Sequence, residues 1–301
     1  MKILFAVDGS NCSKEAIETA LTLKCPVGTE LKVVSVVDFP AFMVTVPGAK
    51  EREISAAWKL ISETVGKLRK THPDVSIEGV LLEGRTVPEL LKLSEEWPAH
   101  LILCGSHGRR GVSRFIMGSV SRAMLLNSRC AVRIVRTCQR SDADTPAMNV
   151  LVAIDESEHS KHLIDHVMAL PWPSGTRFKC LHVVPEFASE VFLEPDSGVA
   201  TTLAEHYAEE VERHKKWVYS EAGKLNDRFE QAVASGELVI GEPRERILET
   251  AQQWPADLIM LGSHGRRGLE RLTLGSVSET VAMYAACSVE VSRIPALFKN
   301  V

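Results

Sequence analysis

The sequence predicts an α/β fold made of two tandem domains, each a doubly wound five-stranded parallel sheet. Three observations support this prediction. The chain has 301 residues, which suits two domains of ordinary size. Short, nearly continuous apolar runs alternate with helical patterns, which is typical of parallel sheets covered by helices on both faces. One seven-residue string occurs twice, at a separation too long for a solenoid repeat.

The repeated string is Gly-Ser-His-Gly-Arg-Arg-Gly, at residues 105–111 and again at 262–268, an offset of 157. Gly-Ser-Val-Ser follows each copy, at 118–121 and 275–278. Nearer the start, residues 3–8 match 150–155 at an offset of 147, so the second copy carries ten extra residues between Val184 and Gly223. The chain therefore divides into a first domain, a linker and a second domain, at residues 1–138, 139–147 and 148–301.

The first half of each repeat predicts two strands and two helices. Apolar residues 2–7 predict a buried strand that ends at Asp8, and Ser13 is expected to cap the following helix. Valine-rich residues 31–37 predict the second strand. A loop at 38–48 then leads into a long helix at about 51–70, which Pro73 ends.

The second half of each repeat predicts three strands around the glycine loop. Residues 75–82 predict the third strand, and Thr86 with Glu89 has the spacing of a capping box for the next helix. Residues 101–104 predict the fourth strand, 118–127 a helix and 131–135 the fifth strand. The equivalent fifth strand of the second copy is 288–292.

Composition narrows the class of protein. The net charge is −4, which gives no reason to expect a nucleic acid or an anionic membrane as partner. No apolar run is long enough to cross a bilayer, and the chain starts directly with a strand, so we expect no signal peptide. Seven cysteines without a Cys-x-x-Cys pair suggest reduced thiols and a cytoplasmic location.

The glycine pattern indicates a phosphate site. Glycine lets the backbone approach a phosphate closely, and a Gly-Ser that opens a helix offers free N–H groups and a hydroxyl. Alone, Gly105 and Gly108 are as easily explained by a tight turn; Gly118-Ser119 at a fixed distance, in two copies, favours nucleotide binding. Neither a Gly-x-Gly-x-x-Gly after the first strand nor a P-loop lysine is present.

Other polar residues leave alternatives open. Asp8 and Asp155 either cap the following helix or contact a ribose, an amine or a metal ion at the carboxyl ends of the strands. His107 and His264 lack a paired carboxylate or nucleophile, which favours solvated loop residues over acid–base catalysts. The loop arginines, including Arg109, either neutralise phosphates or form a solvated basic edge.

Taken in order, these motifs resemble the universal stress protein family over essentially the whole chain. The motifs are Asp8-x-Ser10 after the first strand, Gly84 after the third, and Gly-x2-Gly-x9-Gly-Ser after the fourth. The resemblance implies strand order 3-2-1-4-5 in each domain and is to the ATP-binding branch of the family.

The resemblance also implies a role for each matching residue. In the first copy Asp8 and Ser10 would lie beside the nucleotide and Val36 would contact adenine. The loop around ribose and phosphates, and the helix start that holds the phosphates, would be Gly105, Gly108, Gly118, Ser119, Val120 and Ser121. The second-copy equivalents would be Asp155, Ser157, Val183, Gly262, Gly265, Gly275, Ser276, Val277 and Ser278.

The second copy departs from the pattern in two ways. Glu156 replaces Gly9, which is expected to place a carboxylate near the phosphates. The ten extra residues, expected within 185–201, bring Glu186, Glu190, Glu194 and Asp196. We therefore expect the first copy to bind nucleotide more tightly than the second.

These features predict an ATP-binding protein of stress response or signalling that acts through nucleotide-dependent conformation or partner binding. Mg²⁺ as a companion of ATP is left open. The chain is expected not to be an enzyme; the alternative is a slow ATPase or a nucleotidyl-transfer enzyme on the same fold. An RNA-binding role for the arginine loops is disfavoured by the net charge of −4.

The fifth strands predict how the two domains meet. In strand order 3-2-1-4-5 they would be sheet edges, and exposed edges tend to find partners. We therefore expect the domains to pair as a pseudo-two-fold dimer within one chain, with a homodimer of the tandem chain left open. On the edges alone, separately expressed domains should dimerise or aggregate more readily than the full chain.

Overall fold

The structure is a computed structural model that describes residues 1–39, 46–107, 117–136, 147–186, 198–229, 233–265 and 274–294. In the first repeat the elements alternate between strands and helices. In chain order they are β1 (Lys2–Ala6), α1 (Asn11–Thr22), β2 (Glu30–Val37), α2 (Ala49–Thr71), β3 (Ser76–Glu83), α3 (Thr86–Glu96), β4 (Leu101–Gly105), α4 (Ser119–Asn127) and β5 (Ala131–Val135).

The second repeat has the same succession of elements. They are β6 (Asn149–Ala153), α5 (Glu158–Ala169), β7 (Arg177–Val184), α6 (Gly198–Arg228), β8 (Val233–Ile240), α7 (Pro243–Gln253), β9 (Leu258–Gly262), α8 (Ser276–Tyr284) and β10 (Ser288–Ser292). Both helices α2 and α6 end at equivalent positions, but α6 has 31 residues and α2 has 23. Eight of the extra residues therefore lengthen α6 at its N-terminus.

All described strands belong to one sheet, in the order β3-β2-β1-β4-β5-β10-β9-β6-β7-β8. Neighbouring strands are parallel within each repeat, and β5 pairs with β10 antiparallel. The predicted fold class is confirmed, including strand order 3-2-1-4-5 in each repeat. Because the strands of the two halves run in opposite directions, their carboxyl ends lie on opposite sides of the sheet. We call the side where the strands of a repeat end its carboxyl edge, as distinct from an edge strand, which is the outermost strand of a sheet.

The core is continuous across the joint on one face of the sheet. Side chains such as Leu4, Ile134, Val289 and Leu151 form one cluster under helices α3, α4, α7 and α8. On the opposite face two separate clusters lie under α1 with α2 and under α5 with α6. A buried charged group occupies the place between these two clusters.

That group is an ion pair at the centre of the joint. Arg133 Nε lies 2.6 Å from Glu290 Oε2, with the two side chains only 4% and 0% exposed. His166 Nε2 of α5 lies 2.6 Å from the other carboxylate oxygen. Burial alone would raise the pKa of Glu290, but Arg133 and His166 outweigh it and lower the pKa to about 2.

Two predicted helix caps are wrong in detail. Helix α1 is capped by Ser10, whose hydroxyl accepts the N–H of Ser13 at 3.1 Å, so Ser13 lies inside the helix. This is the usual geometry of an N-cap serine, whose oxygen accepts from the third helical residue. Helix α3 starts at Thr86 itself, with Arg85 at the cap position and no side-chain cap, so Thr86 and Glu89 form no capping box.

Among the residues that the structure describes, no helix combines the length and the apolar character that spanning a membrane requires.

The acid sensitivity of the joint is predicted to depend on Glu290. Its pKa in the folded protein is about 2, whereas an unfolded glutamate titrates near ~4.3. A carboxyl whose pKa is lowered on folding contributes fully above the unfolded pKa, and its contribution is lost as pH falls through the folded one. We therefore expect the free energy of unfolding to fall between about pH 5 and about pH 2, and Glu290→Gln to flatten that fall.

The matched control is Glu279→Gln, which breaks the more exposed pair between Glu279 and Arg122. At neutral pH we expect Glu290→Gln to cost about 3–5 kcal/mol, since it leaves Arg133 buried without its counter-charge. Glu279→Gln is expected to cost about 1 kcal/mol or less. Urea unfolding over the acid range measures both; parallel pH curves for wild type and Glu290→Gln would contradict the prediction.

Candidate functional site

The loops that follow β1 and β4 lie side by side. Strands β1 and β4 are neighbours in the sheet, with Ala6 opposite Cys104, so Asp8 and Gly105 emerge at the same edge. The hydroxyl of Ser10 donates to the carbonyl oxygen of His107 at 3.2 Å and joins the two loops. The switch-point crevice expected from the sequence is thus lined by both loops, as parallel α/β sheets require.

Asp8 shapes the turn after β1. Its Oδ1 accepts the N–H of Ser10 at 3.0 Å, and its own N–H donates to the hydroxyl of Ser13 at 3.1 Å. The side chain is half-buried at the carboxyl edge. Asp8 therefore stabilises the turn at the start of α1, which was the structural alternative for this residue, and it also stands in the crevice.

Asp155 shapes the equivalent turn in the second copy. Its Oδ1 accepts the N–H of Ser157 at 3.1 Å, the hydroxyl of Ser160 at 2.8 Å and the hydroxyl of Ser157. A Cβ atom added to Gly265 would lie 2.7 Å from Oδ2 of the same carboxylate. The second loop therefore packs against Asp155, and this contact requires a glycine at 265.

The glycines that end β4 and β9 allow close packing against helices α1 and α5. A Cβ atom on Gly105 would lie 2.7 Å from the carbonyl oxygen of Cys12, and one on Gly262 would lie 3.0 Å from Cβ of His159. A structural need for these glycines is therefore present beside the predicted ligand role. Gly108 and Arg109 lie outside the described residues.

The two Gly-Ser helix starts lack side-chain caps. Gly118 and Gly275 occupy the cap positions of α4 and α8, with φ of −65° and −63°, and as glycines they have no side-chain oxygen to accept from the first helical N–H groups. Helices α1 and α5, by contrast, are capped by Ser10 and Ser157. The first N–H groups of a helix have no partner within the helix, so α4 and α8 present theirs to the loop side.

Contacts around these starts hold each helix against its own loop. The N–H groups of Gly118 and Gly275 each donate at 2.8 Å to the carbonyl oxygen of the serine after β4 or β9. The hydroxyls of Ser121 and Ser278 donate to the carbonyl oxygens of Gly105 and Gly262 at 2.7 Å and 2.6 Å. The residues that remain at the first turn, exposed or half-buried, are Ser119, Val120, Ser276 and Val277.

The predicted adenine contacts lie at the same edge. Val36 is two residues beyond Val34, which pairs with Ala6 near the end of β1, so it extends past that strand. Val183 has the same position on β7. Val36 is half-buried, whereas Val183 is buried, so the first copy offers the more accessible apolar surface.

Two titratable residues, His107 at the first site and Glu156 at the second, are affected by nearby charges. Burial lowers the pKa of His107, the nearby charge of Arg136 lowers it further, and Glu15 acts against both, so the neutral imidazole is favoured. Glu156 faces helix α6: its Oε1 lies 2.6 Å from Arg213 Nη1 and 3.4 Å from His214 Nδ1. The carboxylate that was expected to repel phosphate is therefore paired.

Two arginines that the sequence reasoning missed link each site to the opposite domain. Arg136 Nη2, directly after β5, donates to the carbonyl oxygens of Ala282 and Met283 at 2.6 Å and 3.3 Å, near the end of α8. Arg293, directly after β10, donates to the equivalent carbonyls of Leu125 and Leu126, near the end of α4. A cation stabilises a helix C-terminus, where carbonyls lack helical partners.

We call this pair of contacts the reciprocal arginine clamp. Helix α8 begins at the second site, and its other end meets Arg136 beside the first site; α4 has the inverse arrangement. The offset of 157 that relates Arg136 to Arg293 was visible in the sequence, but only the β5–β10 pairing shows which carbonyls they reach.

Comparison with known proteins shows to which family the chain belongs. The model of the Universal stress protein family matches residues 1–136 and 147–293. The chain belongs to the universal stress protein family. Universal stress protein Rv1996 of Mycobacterium tuberculosis is 28% identical over 313 residues, which cover 97% of this chain and 95% of the relative. Universal stress protein Sll1388 of a Synechocystis strain is 27% identical, covering 46% of this chain but 94% of its own length.

Solved structures of the family share the fold. A universal stress protein from Archaeoglobus fulgidus matches with a TM-score of 0.63 at 20% identity, covering 98% of this chain and 97% of the other. A putative universal stress protein from Pseudomonas aeruginosa matches with a TM-score of 0.59 at 15% identity, covering 97% and 92%. These likenesses extend over both repeats.

The reciprocal arginine clamp predicts an effect that crosses between domains. We expect Arg136→Met to loosen α8 in the second domain, because two terminal carbonyls lose a charged donor, and to raise amide exchange there about tenfold. Helix α4, in the domain that carries the substitution, should keep its exchange rates. Hydrogen exchange of peptides covering 119–127 and 276–284 measures this.

Arg293→Met is the matched control, since it should raise exchange in α4 and leave α8 unchanged. Increased exchange confined to the domain that carries each substitution would contradict the clamp.

Proposed function

We propose that this member of the universal stress protein family binds ATP at the carboxyl edge of each repeat. The family supports a stress-related function. The observation that carries the ATP proposal is the uncapped helix start at Gly118-Ser119, repeated at Gly275-Ser276, beside the loop from the neighbouring strand. Free N–H groups and the positive end of a helix dipole are suited to phosphate oxygens.

The residues of the first repeat would divide the ligand among them. The backbone N–H groups of Ser119 and Val120, with the Ser119 hydroxyl, would hold phosphate, and Val36 would contact the adenine. The half-buried Asp8 carboxylate is suited to a ribose hydroxyl or to a Mg²⁺ ion on the phosphates. ATP would supply the phosphate charge and the adenine base that these residues contact. The proposed role of the protein is to bind ATP rather than to turn it over.

Nucleotide binding at one site would affect a contact in the opposite domain. An anion at the start of α4 pulls on a helix whose other end is held by Arg293 of the second domain. The same holds for α8 and Arg136. We propose that nucleotide occupancy changes conformation or partner choice through this clamp, in the cytoplasm, without a nucleic acid or membrane partner.

The decisive experiment is to identify the ligand directly. Freshly purified protein is denatured, and the released small molecules are identified by mass spectrometry. ATP or ADP at near-stoichiometric amounts is expected; protein that carries none and shows no calorimetric binding of Mg-ATP would overturn the proposal. Turnover at saturating Mg²⁺ tests the alternative, since sustained phosphate release would make the protein a slow ATPase or nucleotidyl-transfer enzyme.

Gly118→Val is predicted to block the first site. Gly118 has a φ of −65°, which any residue adopts, and valine adds an isopropyl group where phosphate would approach. We expect calorimetry to show one binding site fewer. The control is Gly66→Val in α2, where a Cβ atom meets nothing within 4 Å. Unchanged ATP binding by Gly118→Val would show that the assigned loop is wrong.

The two repeats are predicted to bind ATP unequally, the first more tightly. Val183 is more buried than Val36, and the hydroxyl of Ser157 is bonded to Asp155, whereas that of Ser10 reaches the loop. With the first site blocked by Gly118→Val, the remaining affinity reports the second site. Two equivalent sites in the wild-type protein would contradict this prediction.

Arg213 is predicted to protect the second site from Glu156. Arg213→Met removes the cation 2.6 Å from the Glu156 carboxylate, and two like charges about 4 Å apart repel by roughly 1 kcal/mol in water, which is about a fivefold loss of affinity. Adding Glu156→Gln should restore it. A loss that persists in the double variant would show that Arg213 acts in another way.

A further inference from the structure

The joint between the repeats carries opposite charges at equivalent positions. At the offset of 157, Arg133 of β5 corresponds to Glu290 of β10, and Arg122 of α4 corresponds to Glu279 of α8. Both corresponding pairs are also in contact: Arg133 with Glu290 at 2.6 Å, and Arg122 with Glu279 at 2.8 Å. A residue that contacts its own repeat equivalent lies next to the pseudo-two-fold axis.

The strand register places the axis at the buried pair. Glu290 is opposite Arg133, Val291 is opposite Val132, and Val289 is opposite Ile134. Since 132 corresponds to 289 and 134 to 291, the pairing is symmetric about Arg133 and Glu290. Any two-fold pairing through this edge, whichever domains take part, brings the residue at this position against its counterpart.

Pairing of a domain with a copy of itself would therefore bring like charges into contact, which is unfavourable. Two first domains joined through β5 would bury Arg133 against a second Arg133, and two second domains joined through β10 would bury Glu290 against a second Glu290. The side chains at this position are only 4% and 0% exposed. Like charges buried in contact lose their hydration and repel one another, so neither pairing compensates the charge.

The side chains around the axis also differ between the two halves, in a way that favours pairing of a first domain with a second domain. His166 on α5 contacts Glu290 at 2.6 Å, whereas the equivalent residue on α1 is Thr19, whose hydroxyl donates to the carbonyl oxygen of Glu15 at 3.1 Å. The acceptor for Arg133 thus comes from β10. Among the described residues of the first domain, no acidic side chain forms an ion pair with this arginine.

Most other contacts of the joint do not discriminate; an exception is the Ser288 hydroxyl, which bonds the backbone N–H and carbonyl oxygen of Arg136 at 3.2 Å and has Ala131 as its repeat equivalent. The reciprocal arginine clamp has an arginine and the accepting carbonyls in both halves, so it would form in self-pairs as well. The apolar residues of the ladder, among them Val132 and Val289, are equally neutral towards either partner. Rejection of a copy of the same domain therefore rests mainly on the charged pairs.

We propose that β5 and β10 carry complementary charges that select the opposite half of the chain and reject a copy of themselves. The partner of strand β5 of a first domain is strand β10 of a second domain, which carries Glu290. That second domain comes from the same chain or from another copy. A homodimer that used this edge would be an exchange of domains between two chains. This differs from the expectation that isolated domains would self-associate, which considered only the unpaired strand edges.

The test uses the full chain, folded intact and then cut. A protease recognition sequence is placed within residues 139–146, and the purified protein is cleaved after folding. Native mass spectrometry of isotopically light and heavy batches, mixed after cleavage, should show one first domain with one second domain in every pair. Pairs of two first domains or of two second domains at comparable abundance would overturn the proposal.

Charge-swap variants then test the cause. Arg133→Glu should weaken association of the cut halves at least about a hundredfold, the equivalent of about 3 kcal/mol, and the combination with Glu290→Arg should largely restore it. The control Arg122→Glu, at the more exposed pair, should change association less than about fivefold. No restoration in the double swap, or an equal effect of Arg122→Glu, would overturn the assignment.

A folding failure of the single variant does not block the test. The uncut double swap should then fold, as shown by circular dichroism and urea unfolding, where uncut Arg133→Glu does not. If both uncut variants unfold at the same urea concentration, charge complementarity is not what joins the halves.

Discussion

The antiparallel pairing of β5 with β10 is the constraint on which the rest of the molecule depends. It closes one of the two open edges of each five-stranded sheet, and it brings Arg133 against Glu290, buried on the face where the two cores would otherwise meet. On the other face the core runs through the joint without a break. Apolar burial there supplies non-directional stabilisation, while the ion pair provides directional matching.

The same pairing determines how the two candidate sites relate to one another. Opposite strand directions put the sites on opposite edges of the sheet, and α4 and α8 each reach from one edge to the other. Because Arg136 and Arg293 hold the far ends of these helices, the proposed ligand at one edge would bear on a contact at the other. The clamp is thus a physical connection between two sites that share no residue.

Much of the candidate site was predictable because it consists of short, local patterns. Glycine and serine spacing indicated the uncapped starts of α4 and α8, and Asp8 was expected at the end of the first strand. Prediction failed where the outcome depends on distant partners. Glu156 was expected to face phosphate but pairs with Arg213, which comes from a helix more than fifty residues away. The capping error at Ser13 was a shift of three residues, within one turn of helix.

By itself, the sequence determined that the chain is a duplicated α/β protein, because hydrophobic periodicity and an exact internal repeat are properties of the chain alone. It also determined the positions of the strands to within a residue or two. Only the tertiary structure decided that Arg133 meets Glu290 and that each clamp arginine reaches the opposite helix. Those contacts depend on strand register across the joint, and a register is set by how two edges pack together, which no local pattern contains.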